Sequence, residues 1–313
     1  MKVIHDIHPA LFPNGVVIAL GNFDGIHLGH RAILSECAAL AHAFGVPSAV
    51  MTFEPHPREF FSRSHTPLRL YSLHQKLEAI RNYGIQYTLL MRFNQALAAT
   101  SADAFVDHIL HQTLHVKHVV TGYDFAFGKG RSGNSQFLTE KARALNFGFT
   151  AHAQVLAADG NPVSSSAIRA CLTEGNITTA TAMLGHRYYI TGHVQHGEKR
   201  GRTLGYPTLN LSLKKRFRPR FGVYAARVHL TGEPTVWEAV ASIGVKPTFG
   251  ETEPLLEAHC FGMNKDVYGR YAQIELVTHL RDEKKFATPD ALIAAMRDDA
   301  QQAKEILARH GAH

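Results

Sequence analysis

Val16-Val17-Ile18-Ala19-Leu20 runs directly into Gly21-Asn22-Phe23-Asp24-Gly25-Ile26-His27-Leu28-Gly29-His30. Five apolar residues, mostly β-branched, are too short a run for a helix and suit a strand buried on both faces. Gly21 and Gly25 break that strand. Ile33, Leu34, Cys37, Leu40, Ala41 and Phe44 then recur at helical spacing as far as Gly45, a residue suited to the left-handed turn that ends a helix. The order is therefore strand, glycine-containing turn, helix. Unpaired N–H groups and the dipole at a helix N-terminus favour an anion by roughly 0.3–1 kcal/mol even when exposed, and glycine lets it come close. The turn predicts a phosphate cradle. His27 and His30, three apart at the helix opening, fall on one side, where both can donate hydrogen bonds to phosphate oxygens as charge builds on them.

The same alternation continues outward. Ala49 to Phe53 reads as a strand, and Ser72 to Tyr83 as a helix opened by a Ser72-x-x-Gln75 capping box and closed by Gly84. Tyr87 to Phe93 is the next strand, Ser101 caps a helix to about Leu114, and Val116 to Thr121 is again a strand. A helix over Phe137 to Phe147 precedes a strand over Phe149 to Leu156. Strands alternating with crossover helices imply a doubly wound parallel sheet. From about Arg187 the texture changes. Tyr188 to Ile190, Val223 to Leu230, Trp237 to Ile243, Leu255 to Phe261 and Ala272 to Leu280 are separated by turn residues instead of helices, which predicts an antiparallel barrel or sandwich. Thr288-Pro289-Asp290 then opens a last helix to about Arg309. The expected fold is α/β plus all-β, with domains at residues 1–184 and 185–313.

Composition narrows the class. The chain has 313 residues, 45% hydrophobic and 19% charged, which excludes a disordered or fibrous protein. Its three cysteines, Cys37, Cys171 and Cys260, are too few and too scattered for a disulfide framework, so a reducing, cytoplasmic setting is expected. No apolar run approaches the roughly 18–20 residues of a membrane span. The N-terminus lacks the apolar core of a signal peptide, so the sequons at Asn176 and Asn210 read as chance matches. A formal net charge of +7, with 21 histidines, predicts attraction to anions without specifying which.

A second phosphate-handling stretch follows the texture change: His196-Gly197-Glu198-Lys199-Arg200-Gly201-Arg202-Thr203-Leu204-Gly205-Tyr206-Pro207-Thr208-Leu209-Asn210. Interleaved glycine and arginine can wrap phosphates with backbone N–H groups and guanidinium forks. Thr208 and Asn210 would face one way if extended, and their hard oxygens suit Mg²⁺. A literal GxGxxG at Gly128 to Gly133 does not directly join a strand to a helix, and reads as a flexible basic loop. Neither the NTPase phosphate loop nor the zinc-protease HExxH occurs.

Gly21-Asn22-Phe23-Asp24-Gly25-Ile26-His27-Leu28-Gly29-His30 resembles the HxGH signature of nucleotidyltransferases. With its flanks, the chain resembles the bifunctional bacterial FAD synthetases, in which riboflavin kinase is fused to FMN adenylyltransferase. The likeness spans nearly the whole chain through ordered motifs: Thr52-Phe53-Glu54-Pro55-His56-Pro57, Gly122-Tyr123-Asp124-Phe125-Ala126-Phe127-Gly128, Val163-Ser164-Ser165-Ser166-Ala167-Ile168-Arg169, and a PTAN-like Pro207-Thr208-Leu209-Asn210. The resemblance implies that Gly21, Asn22, Phe23, Asp24, Gly29, Gly122, Asp124, Ser165, Ser166 and Arg169 contact ATP at the adenylyltransferase site. There His27 and His30 would be catalytic, and Pro55, His56 and Pro57 would border the flavin. It also implies that Gly197, Arg200, Gly201, Arg202 and Gly205 bind the kinase ATP, that Thr208 and Asn210 hold Mg²⁺, and that Glu257 is the base. Ala126 stands where the family more often has arginine.

The expected reactions are phosphorylation of riboflavin to FMN and adenylylation of FMN to FAD and pyrophosphate, each with ATP. The partners are then small molecules, without nucleic acid or membrane, and self-association, if any, is weak. Two alternatives stay open from sequence: retention of only one activity, and a basic RNA-binding relative of the HxGH synthetases.

Overall fold

The computed structural model describes residues 1–62, 69–158, 160–196, 208–213, 216–248 and 251–311. It divides into two compact units, Met1–Ser164 and Ser165–His313.

The first unit is built on six parallel strands: β1 (Lys2–Ile4), β2 (Val16–Leu20), β3 (Ser48–Glu54), β4 (Tyr87–Arg92), β5 (Val116–Gly122) and β6 (Gly148–His152). Their order is β1-β4-β3-β2-β5-β6. All five residues of β2 are buried, as an apolar strand between two neighbours and two layers must be. The crossovers carry α1 (Leu28–Phe44), α2 (Pro57–Phe61), α3 (Leu73–Arg81), α4 (Gln95–Ala99), α5 (Ala102–Ala104), which continues as a π-helical stretch over Phe105–Thr113, and α6 (Ser135–Leu145).

Local signals did much of the placing. Gly45 ends α1 in the left-handed conformation at φ 64°. Ser72 and Gln75 form both halves of the capping box of α3. The short edge strand β1 carries no sequence signal, and β6 stops at His152 instead of running on to Leu156. The GxGxxG loop is not the flexible segment expected from sequence. Phe127 and Gly133 exchange backbone hydrogen bonds at 3.0 Å in each direction, and the Lys129 amide donates to the Thr100 carbonyl at 2.7 Å. A Cβ on Gly133 would lie 2.5 Å from the Phe127 ring, so glycine there lets the loop close.

The strand order has one consequence for function. From β2 the chain winds through β3 to β4, then returns to place β5 on the other side of β2. The reversal opens a crevice beyond the carboxyl ends of β2 and β5, where ligands of open α/β sheets bind. The turns after these two strands begin at Gly21 and Tyr123.

The second unit starts with α7 (Ser165–Glu174) and α8 (Ile177–Leu184). Six antiparallel strands follow: β7 (Tyr189–His193), β8 (Leu209–Ser212), β9 (Gly222–Leu230), β10 (Val236–Thr248), β11 (Glu251–Cys260) and β12 (Tyr271–Arg281), then α9 (Pro289–Arg309). The order is β7-β12-β9-β10-β11-β8, and a bridge between Gln195 and Asn210, with the Gln195 amide donating to the Asn210 carbonyl at 2.9 Å, brings the two ends of the sheet together. Ile190, Leu211, Ala226, Val228, Ala241, Leu256, Ala258 and Ile274 line one buried face, as the two-residue side-chain period requires. α9 lays Ala303 and Leu307 on Ala225 and Val277 of the opposite face. Arg281 grips Asp299 of α9 through two bonds of 2.8 and 2.7 Å. The helices α7 and α8 pack on each other and α8 on β12, so they group with the barrel, whereas the change of sequence texture comes after them.

Candidate active sites

The turn after β2 is held in an unusual backbone shape. Phe23 and Ile26 have φ of 50° and 43°, beside Gly25 at 85°. Left-handed backbone in such bulky residues costs of order 1–3 kcal/mol each and persists where surroundings over-determine it, commonly at functional sites. Here Phe23 and Ile26 are buried, at 0% and 2% exposure, and Asp24 is the anchor. Its two carboxylate oxygens each accept a backbone N–H at 3.1 Å, one from Leu70 and one from Tyr71. Thr52 at the end of β3 adds a hydroxyl that donates to the Asn22 carbonyl at 3.2 Å. Asp24 thus shapes the cradle from beneath, while Asn22 is exposed on it.

His27 caps α1. Its Nδ1 accepts the His30 amide at 3.4 Å, which leaves Nε2 to carry the ring proton. A Cβ on Gly29 would sit 3.3 Å from the His27 ring, so the glycine between the histidines gives that ring its room. The two imidazoles stack with centroids 3.6 Å apart and planes 23° from parallel. The His30 Nδ1 is buried without a hydrogen-bond partner among the described residues. Burial, then the neighbouring His27 and Lys76, hold His30 well below the ordinary imidazole value, so it is neutral at pH 7. The pair stands at the N-terminus of α1 beyond β2, where imidazole N–H donors can stabilise developing negative charge.

Across the crevice, Gly122 ends β5 and Asp124 is exposed just beyond it. At the end of β3, His56 is 6% exposed and caps α2, its Nδ1 accepting the Arg58 amide at 3.1 Å, with Pro55 before it and Pro57 as the first helical residue. Arg69 ties this corner down, reaching Glu54 and Glu59 at 2.7 Å each. Phe60, Phe61 and Phe93 form an edge-to-face cluster here, with Phe61 66% exposed. Ser165, Ser166 and Arg169 share the first turns of α7 in the second unit.

In the barrel, Gly197, Arg200, Gly201, Arg202 and Gly205 lie outside the described residues. Thr208 borders a shallow hollow with Asp266 and Tyr268. Asn210 lies directly opposite Glu257 in the β8–β11 register. Opposed residues of an antiparallel pair project from the same face, so the candidate metal ligand and the candidate base are neighbours although 47 positions separate them in sequence. Asn210 is 1% exposed and its Oδ1 is buried with no hydrogen-bond partner among the described residues, a costly arrangement that an oxygen-seeking cation would relieve. The hydroxyl and amide oxygens of Thr208 and Asn210 are donor chemistry that suits Mg²⁺.

Two features escaped the sequence reading. One is the phenylalanine cluster, in which Phe93, just after β4, meets the adjacent Phe60 and Phe61 of α2. The other is Lys76, 2% exposed on α3. Its position three after Leu73 and four before Ile80 puts it on the apolar stripe, and that spacing was the available signal.

Comparison with known proteins agrees with both halves. A family model described as FAD synthetase matches residues 11–167, and one described as riboflavin kinase matches residues 184–307. The chain is 38% identical over 307 residues to the bifunctional riboflavin kinase/FMN adenylyltransferase of Escherichia coli (strain K12), covering 97% of each. To the protein of the same description from Pseudomonas fluorescens it is 39% identical over 310 residues, covering 98% of this chain and 97% of that protein. A crystal structure described as a macrolide-efflux protein from Streptococcus pneumoniae is similar in fold, with a TM-score of 0.85 and 27% identity over 97% of this chain and 99% of that one. Among the described residues, no helix is long and apolar enough to cross a membrane.

Proposed function

Because the chain belongs to the bifunctional riboflavin kinase/FMN adenylyltransferase family, and so makes FMN from riboflavin and FAD from FMN with ATP, we propose that its two reactions run at two separate sites. Residues 1–184 carry adenylyl transfer and residues 185–313 the kinase.

At the kinase site, Glu257 accepts the proton of the riboflavin ribityl hydroxyl as that oxygen attacks the γ-phosphorus of ATP, and ADP leaves. Thr208 and Asn210 hold Mg²⁺, which when bound neutralises charge on the ATP phosphates. Gly197, Arg200, Gly201, Arg202 and Gly205 embrace those phosphates. At the first site, an FMN phosphate oxygen attacks the α-phosphorus of ATP, the bond to the β-phosphate oxygen breaks, and pyrophosphate departs. The nucleophile is already an anion, so no base is needed, and catalysis is positioning plus charge stabilisation. His27 and His30 steady the transition state. Gly21, Asn22, Phe23, Gly29, Gly122 and Asp124 line the nucleotide crevice, with Asp24 shaping it. Pro55, His56 and Pro57 border the flavin, and the exposed Phe61 beside them offers a ring to stack on.

The observation that carries this reading is the pairing of Asn210 with Glu257, which joins the metal and base functions in the barrel independently of the histidine pair in the sheet unit. The protein is placed in a reducing cytoplasm on its few, scattered cysteines, and burial pushes the Cys37 and Cys260 thiols up to about 12, which keeps them protonated and unreactive.

Separability tests the proposal. With riboflavin and Mg-ATP, the double variant His27→Ala/His30→Ala should accumulate FMN and form no FAD. Glu257→Gln should form no FMN yet convert supplied FMN to FAD. One change that stopped both reactions would refute two sites.

A further inference from the structure

Lys76 is a buried charge that neither reaction uses. Lysine is almost never fully buried unless paired, and a helix of this amphipathic pattern would ordinarily put an aliphatic residue there. Its ammonium lies 3.4 Å from the Thr52 hydroxyl, and that hydroxyl in turn donates to the Asn22 carbonyl of the cradle at 3.2 Å. Asp24 is the acidic group whose charge bears most on Lys76, with Glu54 and Glu59 adding to it and Arg69 opposing. Asp24 is bonded to the amides of Leu70 and Tyr71, on the segment that leads into α3. Two routes therefore run from α3 to the turn that carries the histidines.

We propose that Lys76 is a positioning residue for adenylyl transfer, its buried ammonium bracing through Thr52 and Asp24 the cradle in which His27 and His30 stand. The inference rests on the adenylyltransferase reading of that cradle. A second effect follows from charge. After burial and the adjacent His27 ring, the Lys76 ammonium is the neighbour that lowers His30, so Lys76 helps keep that ring unprotonated at neutral pH. A lysine that served only the fold would behave otherwise, because removing one member of a buried charge pair destabilises the folded chain and would lower both activities together.

The test compares Lys76→Met, Lys76→Gln and Lys76→Arg in the full chain, following FMN formation, FAD formation from supplied FMN, and thermal unfolding. Lys76→Met should keep FMN formation within about twofold and keep its unfolding temperature, while kcat for FAD formation falls about 100-fold, the scale of a small misplacement of catalytic groups. The acid limb of its FAD pH profile should move to higher pH, because His30 has lost a positive neighbour. Lys76→Gln retains a donor for Thr52 without the charge, so it should lose less activity while showing the same pH shift; it also serves should the methionine variant not fold. Lys76→Arg should leave the acid limb in place. Unchanged FAD kinetics and pH profile in folded Lys76→Met or Lys76→Gln would overturn the proposal. So would equal loss of FAD and FMN formation, which marks a role in folding. His30→Ala, run alongside, separates the two claims: if it still makes FAD, the reading of the cradle fails, whatever Lys76 does.

Discussion

Asn210 and His30 each bury a polar atom that no neighbour among the described residues satisfies, Oδ1 in one case and Nδ1 in the other. Leaving such a group unpaired costs about 1–3 kcal/mol, so a sequence selected for stability alone would place an apolar side chain there. At Asn210 this trade can be measured. Asn210→Leu conserves size on a strand with buried leucines on either side, so it should unfold at the same or a higher temperature while FMN formation drops at least about 100-fold and FAD formation from FMN persists. A lower unfolding temperature with intact kinase activity would make Asn210 a structural residue. The contrast with Asp24 is instructive. Sequence resemblance counted Asp24 among ATP contacts, but both its oxygens hold backbone amides of Leu70 and Tyr71. A carboxylate in a motif reads the same in sequence whether it faces a ligand or the chain behind it.

The elements follow local rules closely where those rules are strong. Pro289 opens α9 after a Thr288 cap and the helix runs to Arg309, while the Ser72–Gln75 box starts α3, all as the spacing predicts. Function departs from these rules at α1. Gly29 is the second residue of that helix, where alanine would be favoured by up to about 1 kcal/mol, but its absent Cβ gives the His27 ring its place. Gly29→Ala should therefore leave stability unchanged or improved and lower FAD formation about tenfold, with FMN formation unaffected; steady-state kinetics of both reactions would check it. The strand β8 was legible only conditionally, as a Thr208-x-Asn210 pair that shares a side if extended. Its pairing partner, β11, lies across two long strands in sequence, and no local pattern names it.

The whole molecule carries a net charge of +7 and 21 histidines, so its stability should depend on pH near the imidazole range. Burial is the leading cause that lowers His30, His118 and His279. Below about pH 6.5 the unfolded chain takes up protons at these rings that the native state refuses, so native stability falls with falling pH until the folded values are reached, and is flat above. Unfolding temperatures between pH 5 and 8 should show this slope, and His30→Gln should reduce it by up to one proton; an unchanged slope would mean that His30 titrates normally. Lys129 and Arg131 are exposed, whereas Lys76 is buried, where after burial and His27 it adds to the lowering of His30. The sequence by itself determined the parallel and antiparallel halves, the ends of most helices and the motif residues, because side-chain period, capping and turn chemistry act between near neighbours. Only the tertiary structure decided that β2 and β5 adjoin at the crevice, that Asn210 opposes Glu257, and that Lys76 lies under the cradle. Strand order, register and burial are set by packing among residues far apart in the chain, and no window of sequence contains both partners.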